Sequence, residues 1–459
     1  MCSVSFVLWR EGRKQLTQKL SSHDAQTGRP TGQPQVAVRF AGRGLLVLTV
    51  INLLNYLDRF IPSAVLPQMK ASGIVSTDFQ LGILAPGFVV VYMLAAPAFG
   101  YLGDRRSRTR PIAIGVALWS LATVWSGLSR SYWELFASRA AVGIGEAAYA
   151  TISPALLADY YPPARRGRIF AIFYMAIPVG AALGYVVGGV VSQAWGWRAA
   201  FFVAGIPGLL LALAVLRVPD PPRGAMEAGA GETGVRQSAR SAERPGLVQA
   251  LGRTFRLYGQ LARQGSYALT VLGYAAYTFA VGGLAFWMPT FLERVRAVPV
   301  SQATTGFGAI VVVTGFLGTF LGGWLGDYCL RYTRQAYLWV SGLATLLAVP
   351  LAAASLASAS PYVFYPALVG AELLLFMSTG PINSVIVSIV SPVHRASAVA
   401  LSMLTIHVLG DVISPPLIGK LSDRTSLGEA VMLVPVAVGI CGLFWVAAAL
   451  RCRKEGLQA

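Results

Sequence analysis

Residues 100–105 read Gly-Tyr-Leu-Gly-Asp-Arg, and residues 323–327 repeat the pattern as Gly-Trp-Leu-Gly-Asp. Each copy follows the second long apolar run of its half of the chain, and basic residues follow both copies. A repeat at matching places in two series of apolar runs predicts two homologous halves. If the runs cross a membrane, the halves are expected to be related by an axis along the membrane normal.

The composition predicts that the apolar runs do cross a membrane. Of the 459 residues, 55% are hydrophobic and 12% are charged, and the mean hydropathy is +0.61. A soluble chain of this length does not need so many apolar residues for its core, so the surplus is expected to face lipid. At about 20 residues for each crossing, the chain has room for a dozen spans. The predicted spans are 44–67, 78–102, 110–128, 132–159, 166–192, 197–217, 264–294, 303–326, 334–355, 360–391, 394–420 and 427–451.

The predicted fold is therefore an all-α membrane protein with twelve transmembrane helices in two six-helix halves, 44–217 and 264–451. A linker, 218–263, joins the halves and is rich in Gly, Ala, Arg and Ser, a composition typical of flexible segments. An N-terminal tail, 1–43, and a short C-terminal tail, 452–459, complete the organisation.

The basic residues predict the orientation of the spans. Arginine clusters follow the second and fourth spans and recur in the linker, whereas the loops on the opposite side are poor in them. By the positive-inside rule, both termini and the linker are cytoplasmic and the protein is a multi-pass inner-membrane protein. The net charge of +18 lies in these loop clusters rather than on one amphipathic face, so we expect no nucleic-acid partner.

The sequence carries no persuasive catalytic or metal-binding pattern. The four cysteines lack metal or redox spacing, and there is no Gly-x-Ser-x-Gly elbow and no phosphate-binding glycine loop. We therefore expect no enzyme activity, no metal and no cofactor, with energy supplied by an ion gradient or by the gradient of the substrate itself. One chain of this kind supplies a complete pathway, so a monomer is expected.

The repeated motif resembles the signature that major facilitator transporters carry between their second and third helices. Gly100 and Gly103 would allow two helices to approach closely, and Asp104 could cap a neighbouring helix and pair with a basic residue. With Arg105, and with Asp327 in the second copy, these residues form a candidate cytoplasmic gate. The signature indicates the fold and leaves the substrate open.

Charged residues within the spans of the first half are the main candidates for function, because an ionisable group inside a membrane is costly unless it is paired or hydrated. Arg139 and Glu146 are seven residues apart in span four, which places both on one helix face, expected to be the cavity side. Arg139 is the candidate anchor for an anionic head group, since guanidinium can bind phosphate or carboxylate with two hydrogen bonds. Asp58, in span one, and Glu146 are the candidate proton carriers. The alternative is a purely structural salt bridge between helices.

Four further residues are candidate polar positions of the cavity. Arg59 adjoins Asp58 in span one. Glu372 lies in span ten without an obvious partner in the sequence, so it could line the cavity or bond to a neighbouring helix. His407 and Asp411 are four residues apart in span eleven, so their side chains are neighbours on one helix face. A structural contact and a second titrating pair are both compatible with that spacing.

Several stretches together resemble the Spinster-type transporters of the major facilitator superfamily. The resemblance runs through most of the membrane region, and the residues that carry it are Asn55-Tyr56-Leu57-Asp58-Arg59-Phe60, Gly100 to Arg105, Arg139 to Tyr149 with its Gly-Ile-Gly-Glu core, Phe173 to Gly184, His407-Val408-Leu409-Gly410-Asp411, Ser414-Pro415 and Leu421-Ser422-Asp423. It implies a proton-linked carrier of lysolipids or sphingoid phosphates, amphiphiles with one long chain, and it places Asp58, Arg139 and Glu146 at matching motif positions.

Other functions remain open at this stage. A carrier of small organic anions, such as sugar acids, could use the same arginine and carboxylates. A drug-efflux carrier could use Glu146 or Asp58 to handle protons, although Arg139 disfavours a cationic substrate. A membrane sensor or an intramembrane enzyme is disfavoured, because no signalling domain and no nucleophile-base pair stand out.

Overall fold

Twelve long apolar helices run through the part of the chain that our computed structural model describes, residues 33–105, 107–223, 226, 256–391 and 394–456. The first nine are Gln33–Ala71 (α1), Asp78–Arg105 (α2), Thr109–Leu128 (α3), Tyr132–Tyr160 (α4), Pro163–Trp195 (α5), Trp197–Val215 (α6), Gly265–Arg296 (α7), Val300–Cys329 (α8) and Ala336–Ala357 (α9). The last three are interrupted: Pro361–Phe376 (α10a) and Thr379–Ser388 (α10b); Arg395–Ile406 (α11a), a π-helical turn at His407–Asp411 and Ser414–Ser422 (α11b); Leu427–Ala430 (α12a) and Leu433–Glu455 (α12b).

The predicted fold class is confirmed. Each predicted span coincides with a helix or an interrupted pair of helices that is long and apolar enough to cross a membrane. The N-terminal residues 1–32 and most of the predicted linker, including 227–255, lie outside the described residues, so the predicted domain boundaries there stay predictions.

The interruptions in the tenth and eleventh spans differ from the continuous helices that the sequence predicts. The tenth breaks at Met377 and Ser378, just before Gly380-Pro381. The eleventh breaks between the π-helical turn and Pro415. Pro381 and Pro415 have no backbone N–H to donate, which weakens the regular helical hydrogen bonding at these two places. Prolines elsewhere lie inside continuous helices, so proline alone does not account for the breaks.

Glycines let the helices of the first half approach one another closely. A Cβ atom added to Gly180 or Gly184 of α5 would lie 2.5 Å from the carbonyl oxygen of Leu53 or Leu57 of α1, respectively. Two backbones can come this near only where no side chain intervenes. This glycine seam fixes α1, which carries Asp58 and Arg59, against α5.

The two halves meet closely at the end of the bundle that carries Asp78, called here the Asp78 end. An added Cβ on Gly82 of α2 would lie 2.5 Å from the Pro415 carbonyl oxygen, and one on Gly419 of α11b would lie 3.0 Å from the Phe79 nitrogen. Helix α5 of the first half also packs on α8 of the second. It contacts α7 as well, where the hydroxyl of Tyr185 donates to the carbonyl oxygen of Ala285 at 2.6 Å.

Charged groups surround the backbone contacts at the Asp78 end. The carboxylate of Asp423, after α11b, accepts hydrogen bonds from the backbone nitrogens of Asp78 (2.8 Å) and Phe79 (2.9 Å) at the start of α2. A carboxylate in this position satisfies unpaired N–H groups and complements the positive end of the helix dipole. A residue of the second half therefore caps a helix of the first.

The Asp78 carboxylate continues this connection. It accepts from Lys70 at 2.6 Å within its own half and from two residues of the other half, Arg294 at 2.8 Å and Ser422 at 2.7 Å. We call Lys70, Asp78, Arg294, Ser422 and Asp423 the Asp78 cluster. The cluster links the two halves at this end of the bundle.

Two adjacent glycines offer a test of close packing: Gly322, just before the second motif copy, and Gly323, its first residue. An added Cβ on Gly322 would lie 2.5 Å from the backbone carbon of Met377, whereas one on Gly323 would have nothing within 4 Å. We expect Gly322→Ala to lower the free energy of unfolding by about 1–3 kcal/mol, the usual cost of overpacking. Gly323→Ala is the control and is expected to leave stability unchanged or to raise it slightly, because alanine favours helix. Thermal unfolding of the two variants in detergent measures the difference, and equal melting temperatures would contradict the packing.

Candidate functional site

A cavity of about 340 Å³ lies between the two halves. Its walls come from residues 56–63 of α1, 84–89 of α2, Arg139 of α4, 277–286 of α7 and 407–415 of the eleventh span. Most of the lining side chains are apolar, and the charged ones are Arg59, Arg139, His407 and Asp411. The basic pair comes from the first half and the His–Asp pair from the second, so the charges of the two halves face one another across a mostly apolar chamber.

The first charged pair joins Asp58 to Arg139. Both residues are nearly inaccessible, at 1% and 3% exposure, and the Arg139 Nη1 atom lies 3.2 Å from Asp58 Oδ1. The hydroxyl of Thr123 in α3 donates to the second carboxylate oxygen at 2.6 Å. The structure therefore brings together two candidate residues, Asp58 and Arg139, and adds Thr123, which sequence reasoning missed.

The second charged pair joins Arg59 to Glu146. The Arg59 Nη2 atom lies 2.6 Å from Glu146 Oε2, and Glu146 is completely buried. The Arg59 side chain is 30% exposed, and its guanidinium carbon lies 4.9 Å from the ring centre of Tyr56 and 4.8 Å from that of Phe88. Aromatic faces attract guanidinium, so they help to hold Arg59 at the cavity wall.

The sequence places Arg139 and Glu146 on one face of α4, but in the structure they do not pair with each other. Seven residues of helix rise about 10 Å, which separates the two side chains along that face. Adjacent residues of α1 instead supply a partner to each: Asp58 reaches Arg139, and Arg59 reaches Glu146. Of the two α4 residues only Arg139 is among the described residues that line the cavity.

The His407–Asp411 pair forms the charged wall of the second half. The His407 Nδ1 atom lies 2.8 Å from Asp411 Oδ2, and the two side chains are 32% and 31% exposed. The backbone there is a π-helical turn, in which the Val412 N–H donates to the His407 carbonyl oxygen at 3.0 Å. Thr278 of α7 donates to the Ile406 carbonyl oxygen at 3.0 Å and fixes the start of the turn. The prediction that both residues are polar cavity positions agrees with the lining.

Glu372 lies against a neighbouring helix, one of the two positions that the sequence left open. It is 4% exposed within α10a, and its Oε2 atom lies 3.2 Å from the hydroxyl oxygen of Thr314 in α8. Among the described residues, the cavity lining does not include it. Its predicted role as a polar cavity residue stays a prediction.

The predicted gate motif is described in part. An added Cβ on Gly103 would lie 2.9 Å from Ile152 of α4, so the glycine does allow α2 to approach that helix. In the second copy, the Tyr337 hydroxyl donates to Asp327 at 2.6 Å, a partner that the sequence did not suggest. The side chains of Asp104 and Arg105 lie outside the described residues. The gating role stays a prediction.

The described residues hold no group of three or more His, Cys, Asp or Glu side chains that could bind a metal ion. The charges of the cavity instead pair with one another as two guanidinium–carboxylate pairs and a His–Asp pair. Such an arrangement can bind a ligand with both a negative and a positive group, and it can exchange one partner for another when a ligand enters.

Comparison with known proteins places the chain among membrane transporters. The sequence profile of the Major Facilitator Superfamily matches residues 48–415. Protein spinster homolog 3 of Danio rerio is 33% identical over 93% of this chain and 89% of the relative. Sphingosine-1-phosphate transporter SPNS2 of Xenopus tropicalis is 32% identical over 94% and 85%, and protein spinster homolog 1 of Homo sapiens is 36% identical over 83% and 74%.

Solved structures agree with the sequence comparison. A bacterial homologue of the human lysosomal transporter Spinster, in an inward-facing and unoccupied conformation, superposes with a TM-score of 0.79 at 25% identity, covering 91% of this chain and 98% of the homologue. A D-xylose–proton symporter shares the fold, with a TM-score of 0.66 at 20% identity over 90% of this chain and 97% of the symporter.

The buried Asp58–Arg139 pair generates a stability prediction. Arg139→Leu leaves a buried carboxylate without its cation, which typically costs about 3–5 kcal/mol. In the double variant Asp58→Asn, Arg139→Leu, no charge is left unpaired, and we expect most of the lost stability to return. Thermal unfolding in detergent measures both. A double variant as unstable as the single one would show that the pair does not stabilise the fold through charge compensation.

Proposed function

Because the chain belongs to the major facilitator superfamily, and within it to the Spinster family of transporters, we propose that it carries single-chain amphiphilic lipids, such as lysophospholipids or sphingosine phosphates, by proton-coupled alternating access. The substrate class follows the family, in which one relative is a sphingosine-1-phosphate transporter. The observation that carries the proposal is the cavity itself: two guanidinium groups stand in a chamber whose other walls are mostly apolar.

The guanidinium groups would bind the anionic part of the head group. Arg59 is the more accessible, since its side chain is 30% exposed while that of Arg139 is 4% exposed. Each can hold phosphate with two parallel hydrogen bonds. The apolar side chains from α2 and α7 would cover the first part of the acyl chain. Arg59 is therefore the first contact of the phosphate, and Arg139 is the deeper one.

Asp411 favours a head group that also carries a positive charge. Its carboxylate lines the opposite wall, paired with His407 and 31% exposed. An ammonium or choline group there would lie in a field of opposite sign to that at Arg59. A small sugar acid would use the arginines only and would leave the apolar wall uncovered, which is why we favour the amphiphile.

Proton coupling would follow from competition for Arg59. In this structure, Arg59 pairs with Glu146 at 2.6 Å. A substrate phosphate that draws the guanidinium toward itself leaves Glu146 buried without a cation, an unfavourable state that uptake of a proton relieves. Asp58 would respond in the same way if Arg139 moves. Substrate and proton then bind together.

From the arginine-rich loops we infer that the end of the bundle opposite the Asp78 end is cytoplasmic. The Asp78 cluster would then seal the outer side of an inner-membrane protein whose termini are both cytoplasmic. The similarity to an inward-facing homologue supports this assignment. One chain supplies both halves of the cavity, so a monomer would be sufficient.

Flux measurements test the substrate and the proton carrier together. We expect protein in liposomes, under an imposed pH gradient, to move labelled lysophospholipid or sphingosine phosphate. Glu146→Gln should abolish the gradient dependence, because the amide cannot bind the proton. Glu429→Gln, at an exposed carboxylate outside the cavity, is the matched control and should behave as the native chain. Flux of a sugar acid without flux of either lipid would overturn the proposed substrate.

Opening of the outer end tests alternating access. Spin labels at the exposed positions Ser76 and Thr425, one in each half, report the width of the Asp78 end after the native cysteines are replaced. Asp423→Ala removes the cap on α2 and should increase the population with a long label-to-label distance. Glu429→Gln, near the same loop, should not. An unchanged distance distribution in Asp423→Ala would show that the cluster does not hold this end closed.

A further inference from the structure

The carboxyl group of Glu372 is buried in the second half without a charged partner. The residue is 4% exposed, and no basic side chain among the described residues forms an ion pair with it. An ionised carboxylate in a membrane-spanning helix is costly unless a cation or water compensates it. Its surroundings therefore favour the protonated form in this conformation.

The contacts of Thr314 are compatible with a protonated carboxyl group. Its hydroxyl oxygen lies 2.7 Å from the carbonyl oxygen of Ile310 and 3.2 Å from Glu372 Oε2. A carbonyl oxygen can only accept, and a hydroxyl group has one hydrogen. If that hydrogen serves the shorter contact, Thr314 is free to accept at the longer one. The hydrogen between Thr314 and Glu372 then belongs to the carboxyl group.

The other groups near Glu372 are neutral. Tyr277 of α7, which lines the cavity, and Tyr185 of α5 are close enough to interact with it electrostatically. The described part of α9, which also packs on α10a, contributes no charged side chain. Among the described residues, Glu372 therefore has a hydrogen bond to the Thr314 hydroxyl and two neutral tyrosines nearby.

Tyr185 connects this position to the seam between the halves. It belongs to the first half, but its hydroxyl donates to the Ala285 carbonyl oxygen of α7, and its ring lies 5.2 Å from that of Phe307 of α8. Any separation of α5 from α8 removes Tyr185 from the second half. Such a movement would open the surroundings of Glu372 to water.

We propose that Glu372 is a proton-binding site of the C-terminal half, occupied in this conformation and emptied when α5 and α8 separate. On release, the carboxyl O–H bond breaks, the proton passes to water that enters between the halves, and that water solvates the carboxylate. The site is distinct from Asp58 and Glu146, which pair with arginines. Its part in coupling rests on the proposed transport function, whereas its occupancy by a proton does not.

Infrared spectroscopy tests the occupancy without any substrate or gradient. In lipid nanodiscs at neutral pH, the protein should show a stretching band of a protonated carboxyl group that is absent from Glu372→Gln and retained in Glu429→Gln. Thr314→Val should shift this band, because the carboxyl group loses its hydrogen-bond acceptor, and Thr314→Ser should leave it in place. Native-like thermal unfolding of Glu372→Gln confirms that the variant is folded. A band that persists in Glu372→Gln would overturn the proposal.

A second measurement tests release. A disulfide that ties α5 to α8 should make the band insensitive to raised pH, whereas reduction of that disulfide should restore its loss. If the band responds equally in the tied and the reduced protein, separation of the helices does not govern the proton. Since neither experiment measures transport or adds a substrate, failure of lipid flux would count against the proposed function and leave the proton site standing.

Discussion

The structure depends on one constraint: charges at the depth of a membrane must be compensated within the protein. The first half meets it with two acids and two bases on two helices. Asp58 and Arg59 are neighbours on α1, and each takes the opposite charge from α4. The four charges sum to zero, so no single side chain can leave without creating a buried unpaired ion. A ligand or a proton that displaces one partner therefore has an effect on the others.

The second half meets the same constraint with fewer ions. His407 and Asp411 contact each other on one helical turn, and among the described residues Glu372 forms no ion pair and contacts the hydroxyl of Thr314. Although the repeated glycine motif indicates two homologous halves, their charged residues do not correspond. The first half exposes cations to the cavity and the second half exposes a carboxylate with its histidine. This difference makes the cavity electrostatically asymmetric, so a zwitterionic head group would have one preferred orientation there.

The fold and the identity of most charged cavity residues could be predicted from the sequence, because long apolar runs define spans and a charge inside a span is conspicuous. The ion-pair partners of these residues could not be predicted. The spacing of Arg139 and Glu146 gives their common face on α4 but not the distance that separates them, and only the tertiary structure brings Arg59 to Glu146. The Asp78 cluster was missed because charges at span ends resemble ordinary loop charges. For Glu372 the sequence left two positions open, the cavity or a neighbouring helix, because a single intramembrane acid carries no sign of which helix covers it.

The contacts between the halves at the Asp78 end are specific in shape, but their ion pairs contribute little free energy. Backbone contact at Gly82 and Gly419 makes the fit specific, since any side chain there would keep the halves apart. The ion pairs at its edge, however, involve partly exposed lysine and arginine side chains, and such pairs each contribute only about 0–1 kcal/mol. A conformational equilibrium held by a few such contacts can be reversed by a ligand that prefers the other state by a few kcal/mol. The buried pairs near the cavity are much more costly to break, so they are suited to respond to a ligand. The Asp78 cluster is suited to open and close.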